Sequence, residues 1–366
     1  MINSVCGIRS TGRICTDIAN ALREQGHEVK IAYGRLGQVP ESVKNHAIRI
    51  GTNTDSVLHA LGTRIMDAQG FCSGKATKRF LQWAEAYDPD MVWLHNIHGY
   101  YIQVEQLFAW IKSRPNMKVL WTLHDCWPFT GHCAYFDYAK CEKWMTGCHK
   151  CPQKGCYPAS VLFDRSKVNY KRKQAAFTGV KDLTLITPSQ WLADLVQKSF
   201  LKEYTVEVRH NQIDSSVFCP TPGSFREKYG LENKTIVLGV ASIWDARKGL
   251  DDFYKLSEQV DENIKIVLVG VDKGQMKKLP KNILGISRTN NAKELAEIYT
   301  AADVFFNPTY EDNYPTVNLE AQACGTYVIT YGSGGAAETI YREDAMVVEQ
   351  GDLGKVLQLI KDRSKA

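Results

Sequence analysis

The stretch Asp303-Val304-Phe305-Phe306-Asn307-Pro308-Thr309-Tyr310-Glu311-Asp312-Asn313-Tyr314-Pro315-Thr316, continuing through Glu320 and Gly325 to Glu338, decides the fold class. Val304 to Phe306 reads as a short buried strand. A polar loop from Thr309 to Tyr314 follows, carrying Glu311, Asp312 and Asn313. Pro315 and Thr316 open a helix, because proline is tolerated in a first turn. Gly325 can end that helix, and Tyr327 to Tyr331 is rich in β formers. Gly332, Gly334 and Gly335 then make a glycine-dense loop expected to open another helix. Two successive strand–loop–helix units are the grammar of a doubly wound α/β sheet, which binds ligands at the carboxyl ends of its strands. Asp312 and Glu320 lie at that edge with seven residues between them. The two helix starts beside them have free N–H groups that suit an anion.

The chain has 366 residues, enough for two domains with separate cores. No apolar run approaches the ~18 residues of a membrane span. No basic-then-apolar leader precedes Ile2, so the expected location is the cytoplasm. A net charge of +5 permits weak attraction to anionic surfaces and does not indicate nucleic acid. Of 11 cysteines, five crowd into positions 133 to 156. Cys148 and Cys151 form a CxxC knuckle, and with Cys133 and Cys141 they could make a four-thiolate structural zinc site. A long irregular loop needs something to order it, and a metal would supply that. Cys156 competes as a ligand, and the alternative is reduced thiols packing a lid over residues 129–158.

Working outward, Ile2 to Val5 is a stub of strand, followed by a loop holding Gly7 and Gly12, an amphipathic helix to Gln25 and a strand from Glu28 to Tyr33. This is a βαβ opening. A helix covers Gly74 to Tyr87. Asp90 to His95 is a strand that places His95 and His98 at its carboxyl end, with no acidic partner nearby in sequence. They read as substrate-side polar groups rather than metal ligands. Lys118 to Leu123 is the next strand, and His124-Asp125-Cys126-Trp127-Pro128 follows it. Ser160 to Ala176 reads as a helix whose Lys167, Lys171, Arg172 and Lys173 form a basic face. That face is either solvated or a membrane-surface contact. Pro220 and Pro222 mark a linker, giving domains over 1–212 and 213–366. The second domain opens with a strand from Thr235 to Ala241 and the loop Ser242-Ile243-Trp244-Asp245-Ala246-Arg247-Lys248-Gly249.

These motifs resemble the signature of the large retaining GT-B glycosyltransferase family, family 4. That signature runs acid, seven residues, Glu, an Ala-rich helix, Gly, a strand and a Gly-Gly loop. Asp312 stands where the first Glu is usual, and Glu320 matches the second. The His124-Asp125 pair, the segment His210 to Asp214 with Phe218 and Pro220, and Lys248-Gly249 extend the resemblance over nearly the whole chain. Gln212 and Ser242 depart from it, Ser242 replacing a usual Arg, with Arg247 close enough in sequence to supply the charge.

The resemblance implies two Rossmann-like domains facing across a cleft, and transfer of a sugar from a UDP- or GDP-linked donor with retention and without a catalytic metal. It assigns Lys248, helped by Arg247 and by helix N-termini at Gly334 and Gly335, to the diphosphate, and Glu320 to the ribose. Asp312, Glu311, Asn313 and His124 go to the donor sugar. Gly7, Gly12, Asp125 and His98 go to the acceptor side. It implies a glycan or lipid-linked acceptor in surface-polysaccharide assembly, with the protein peripheral to the inner membrane face. Typical members continue beyond Leu353 to Lys361 with a helix returning to the first domain, so looser packing between domains is expected. The alternatives are a GT-B nucleotide-sugar epimerase and a zinc-stabilised binding module with a degenerate donor site.

Overall fold

The computed structural model describes residues 1–35 and 39–364, and of Arg9 the backbone only. The chain divides into two compact units, Met1–Arg209 and His210–Ala366. In chain order the first holds β1 (Ile2–Asn3), α1 (Arg9–Glu24), β2 (Ile31–Tyr33), β3 (Ala47–Arg49), α2 (Asn53–Met66), α3 (Gly74–Tyr87), β4 (Met91–Leu94) and α4 (Val104–Lys112). It continues with β5 (Lys118–Thr122), α5 (Ser166–Phe177), β6 (Leu183–Thr187), α6 (Gln190–Gln197) and β7 (Thr205–Val208). The strands form one sheet in the order β3-β2-β1-β4-β5-β6-β7, with every pairing parallel. Strand order reverses between β1 and β4, the switch point at which such sheets take ligands.

A parallel sheet covered on both faces needs strands that are apolar throughout. In β5, Val119, Leu120, Trp121 and Thr122 are all buried. Trp121 packs against Phe108 of α4 and Phe177 of α5, with ring centroids 5.3 and 5.0 Å away. Its indole N–H donates to the His95 carbonyl at 3.2 Å, so the aromatic core also fixes the carboxyl end of β4.

The second unit holds α7 (Phe225–Tyr229), β8 (Thr235–Val240), α8 (Leu250–Ser257), β9 (Ile264–Val269), α9 (Lys273–Met276), β10 (Ile283–Ile286) and α10 (Ala292–Ala301). Then come β11 (Val304–Asn307), α11 (Thr316–Ala323), β12 (Tyr327–Tyr331), β13 (Met346–Val348) and α12 (Leu353–Arg363). Its sheet is also parallel, in the order β10-β9-β8-β11-β12-β13, and switches between β8 and β11. Among the described residues no helix is long and apolar enough to cross a membrane.

Three expectations need correction. The helix expected from Ser160 starts only at Ser166. Ser160 donates to the Phe163 carbonyl at 2.6 Å and Asp164 accepts from the Ser166 amide at 2.9 Å, so side chains hold this segment in turns. The basic face on that helix is broken. Lys173 is fully buried, donating to the Trp127 carbonyl at 2.7 Å with its ammonium 3.5 Å from the Trp127 ring centroid. Arg172 is clamped on Glu105, leaving Lys167 and Lys171 exposed. The loop at Gly332 to Gly335 opens only a 3-10 turn, Ala337–Thr339, not a helix.

In the cysteine-rich segment, where zinc was expected on Cys133, Cys141, Cys148 and Cys151, no group of three or more His, Cys, Asp or Glu among the described residues stands in a metal-holding arrangement. The Cys133 and Cys151 thiols hydrogen-bond to each other, and Cys148 accepts from the Gly131 amide at 3.1 Å. Aromatic packing orders the segment: the Trp144 ring lies 5.3 Å from Phe129 and 4.7 Å from Phe136, all three buried.

Trp121→Ala should lower the stability of the first unit by about 3–5 kcal/mol, the range for deleting a large core aromatic. Chemical denaturation checks this, and a loss under ~1 kcal/mol would place the core elsewhere.

Candidate active site

In the second unit the two loops at the switch point meet. The loop after β8 is pinned by Trp244, buried, whose indole donates to the Val269 carbonyl at 2.9 Å. Asp245 caps the following turn by accepting from the Lys248 amide at 2.9 Å. Gly249 has φ +74, and a Cβ there would lie 2.3 Å from the Pro308 carbonyl oxygen. Only glycine lets this turn rest on the end of β11. The contact carries Lys248 onto Asp312, with which it forms an ion pair that is largely shielded from solvent. Alongside, Arg247 donates to the Glu311 carbonyl at 2.7 Å, and the Tyr310 amide donates to the Arg247 carbonyl at 2.8 Å. The Glu311 side chain is buried, as is Asn313.

The glycine-rich loop closes over the same point. Gly334 has φ +56, and a Cβ on it would sit 2.1 Å from the Asp312 carbonyl oxygen. The Gly335 amide donates to that oxygen at 3.0 Å. This amide, expected to face an anion, is therefore committed to shaping the Asp312 loop. Glu320 accepts from the Tyr299 hydroxyl at 3.0 Å. Burial, and then the Glu320 charge, push the Tyr299 pKa well up, so it stays a donor. Lys248 and Asp312 thus touch, and Glu320 is carried by the helix that begins where the Asp312 loop ends.

Two buried networks in this unit had no sequence signal. Asp252 on α8 accepts from the hydroxyls of Tyr310 and Tyr331 at 2.7 and 3.0 Å, tying α8 to the β11 loop and to β12. Asn318 accepts from Asn307 and donates to Thr339, both at 2.8 Å, while Gln322 donates to the Thr339 carbonyl at 2.9 Å. These amides flank Glu320 on α11 and fix the roll of that helix.

In the first unit the polar groups gather at the carboxyl ends of β4 and β5. His98, expected to lack an acidic partner, has one. Its Nε2 lies 2.9 Å from Asp125 Oδ2, and its Nδ1 lies 3.1 Å from the Tyr157 hydroxyl, which also accepts from Gln69. The pair is separated by 27 positions in sequence, so only the sheet register brings it together. Burial pushes the Asp125 carboxyl up, but His98 and the Trp127 amide outweigh it and hold the pKa below the usual carboxylate value. Asp125 therefore holds His98 and the loop. His124 bonds and stacks on His95 instead, Nε2 to Nδ1 at 3.1 Å and centroids 5.4 Å apart. Burial drops the His124 pKa to about 4. Gly7 has φ +70 and donates its amide to the Gly12 carbonyl at 3.2 Å, and a Cβ on it would meet Pro40 at 2.1 Å. Its missing side chain thus makes room for Pro40. A cavity of about 340 Å³ lined by Met1, Trp83, Tyr87 and Met91 lies at the amino ends of the strands, away from these groups.

Residues 11–217 match the family model described as Glycosyltransferase Family 4, and residues 234–362 match that of Glycosyl transferases group 1. The Escherichia coli (strain K12) protein named as the colanic acid biosynthesis glycosyl transferase WcaC is 26% identical over 289 residues, spanning 75% of this chain and 67% of that one. A Corynebacterium glutamicum protein named as a GDP-mannose-dependent monoacylated phosphatidylinositol monomannoside mannosyltransferase is 30% identical over 203 residues, 50% of this chain and 52% of that one. Among solved structures, sucrose-phosphate synthase from Thermosynechococcus elongatus superposes with TM-score 0.68 at 15% identity, covering 99% of this chain and 88% of that chain. WaaG, described as a glycosyltransferase involved in lipopolysaccharide biosynthesis, gives 0.64 at 17%, covering 100% and 90%. Anabaena HepE in complex with UDP gives 0.63 at 13%, covering 99% and 88%. The fold is GT-B, two Rossmann-like α/β domains.

Burial also drops the His59 pKa to about 4. A free imidazole titrates near 6.5, so at about pH 5.5 both rings should remain neutral while a free histidine is mostly charged. The unfolded chain then binds protons that the folded unit refuses, so stability should fall as pH drops from about 6.5 toward 4. Imidazole nitrogen NMR checks the charge state, and protonated His59 and His124 at that pH would contradict it.

Proposed function

Because the chain belongs to glycosyltransferase family 4, we propose that it transfers a sugar from a nucleotide-diphospho-sugar to a hydroxyl acceptor with retention of anomeric configuration. The Lys248–Asp312 pair at the β8/β11 switch point carries this reading. A lysine ammonium has three donors, so one engaged by Asp312 leaves two for phosphate oxygens. Stabilising the charge that develops on the departing diphosphate is the main electrostatic task in such a reaction. Lys248 takes that role, with Arg247 adding positive field from the same turn. Glu320 accepts from the ribose hydroxyls. Asp312 accepts from a hydroxyl of the donor sugar, with Asn313 and Glu311 shaping the loop around it. His124, kept neutral, is a hydrogen-bonding group for the sugar rather than a cation.

In the reaction the acceptor oxygen attacks the anomeric carbon on the face the diphosphate leaves. The bond from that carbon to the phosphate oxygen breaks as the new glycosidic bond forms. The acceptor proton passes to the leaving phosphate oxygen. No protein nucleophile is required. The His98–Asp125 pair belongs to acceptor handling. The HepE structure in complex with UDP and a relative named GDP-mannose-dependent make UDP- and GDP-sugars the two donor classes to test. The WcaC relationship favours a glycan or lipid-linked acceptor in surface-polysaccharide assembly.

Lys248→Ala and Glu320→Ala should each reduce transfer by at least about 10²-fold, the scale for losing one preorganised charge-stabilising group. Thermal unfolding of both variants should stay near wild type. Radiolabelled transfer from a panel of UDP- and GDP-sugars, with NMR of the product's anomeric centre, measures this. Inverted product, or wild-type rates in both variants, would overturn the assignment.

A further inference from the structure

Lys173 on α5 is a buried cation with no ionic partner. It donates to the Trp127 carbonyl at 2.7 Å, and its Nζ lies 3.5 Å from the centroid of the Trp127 ring. Among the described residues no carboxylate forms an ion pair with it, and Asp67 and Asp125 act on it only from farther away. Burying a charge without an ionic partner costs stability. The cost shows in the Lys173 pKa, which burial pulls down to about 7. One hydrogen bond and a cation–π contact offset only part of it. A methionine would fill the same space without that cost, because its unbranched stem adapts to irregular gaps. Stability therefore does not explain a lysine at this position.

The residue that Lys173 holds leads to the His98–Asp125 pair. The Trp127 carbonyl also faces the Thr130 amide and hydroxyl, but both stand at 3.4 Å, so the short bond to that oxygen comes from Lys173. The Trp127 amide donates to Asp125 Oδ1 at 3.0 Å, and the Trp127 ring centroid lies 5.1 Å from that of His98. Gly70 lets the backbone close on the same ring, where a Cβ would come within 2.9 Å. Trp127 thus touches both members of the pair while Lys173 anchors its carbonyl.

The hydrogen bonds of the pair run in one direction. Asp125 is held ionised, so it accepts and His98 Nε2 carries the proton between them. In the neutral ring Nδ1 then accepts from the Tyr157 hydroxyl, whose pKa burial pushes up, and Tyr157 accepts from Gln69. Both His98 nitrogens are committed. A carboxylate has about four acceptor sites, and these bonds use one on each Asp125 oxygen. The Asp125 side chain keeps 10% of its surface exposed. Its remaining lone pairs are the acceptors the pair can offer a ligand, and their direction is set by where Trp127 sits.

We propose that Lys173 is a positioning residue for the acceptor: through Trp127 it fixes the Asp125 carboxylate, which receives an acceptor hydroxyl. This rests on the transfer reading above. The test is Lys173→Met in the full chain. Its thermal unfolding should match or exceed that of wild type, because an unpaired buried charge is removed. The His98 imidazole N–H, located in nitrogen NMR by its loss in His98→Asn, should shift from its Asp125-bonded position. Transfer from UDP- or GDP-sugars to octyl glucoside or octyl galactoside should fall about 10- to 100-fold, the scale of misplacing a positioned group. Hydrolysis of the same donors by water should stay near wild type. Asp125→Asn should lose as much transfer, and the double variant no more than either alone, since residues acting through one contact are not additive. Wild-type transfer in Lys173→Met, additive losses in the double variant, or an equal fall in donor hydrolysis would overturn the proposal. Failure of Lys173→Met to fold would overturn it too, assigning the lysine to stability. A wild-type chain that neither transfers nor hydrolyses any of these donors would instead sink the reaction reading. The His98 signal then decides the positioning by itself, and an unmoved signal in Lys173→Met rejects it.

Discussion

The Lys248–Asp312 ion pair is the contact on which the second unit's functional edge depends, and it exists because two glycines let three loops lie on one another. A side chain at Gly249 would push the Lys248 turn off Pro308, and one at Gly334 would strike the Asp312 carbonyl. With both absent, a cation from the β8 loop and an anion from the β11 loop come into contact at the sheet's switch point. The pair also sets a condition on any ligand. A group that takes Lys248 must be anionic, and it leaves Asp312 needing a donor. A diphosphate joined to a polyhydroxyl sugar satisfies both needs at once, since one end supplies charge and the other supplies hydroxyls. A lone anion would satisfy only the lysine.

The loops around that pair are held by buried polar groups rather than by apolar packing. Asp252 bridges Tyr310 and Tyr331, and Asn318 with Gln322 bridges β11, α11 and the turn at Thr339. A buried network whose members are all bonded specifies one geometry, because any shift leaves a polar atom unpaired in low dielectric. Precision at Asp312 and Glu320 therefore comes from residues that are not themselves candidates for contact with substrate.

The central strands were readable from sequence because parallel strands buried on two faces appear as unbroken apolar runs, whereas β3 and β10 received no assignment. Tyr327–Tyr331 and the helix Gly74–Tyr87 lie where the pattern put them. The Asp312 loop was readable through its place after a strand, and Lys248 only through the family resemblance. Pairings across long separations were not. His98 finds Asp125 only through the β4–β5 register, and nothing local distinguishes Asp252 from its exposed neighbour Asp251. Lys173 looked like one of four surface charges because helix direction alone does not say which side faces the Trp127 ring. Helix α2 received no assignment; its His59 and Thr63 are buried while Val57, Leu58 and Leu61 are exposed, so the apolar period does not mark the buried face.

The cysteine-rich segment gains a definite place from these contacts. It reaches the end of α2 through His132 on Asp67, and it supplies Tyr157 to the ring of His98, with Gln69 from just beyond α2 on the same hydroxyl. Val161 to Phe163 follow only a few positions later and lie along α2 itself. One stretch of chain therefore carries the exposed Val161, Leu162 and Phe163 and also fixes the imidazole that Asp125 holds. Buried side chains in such a path are close-packed, so a displacement at one is felt at its neighbours. Dense aromatic packing around Trp144 gives the segment the internal order that holds these contacts in place.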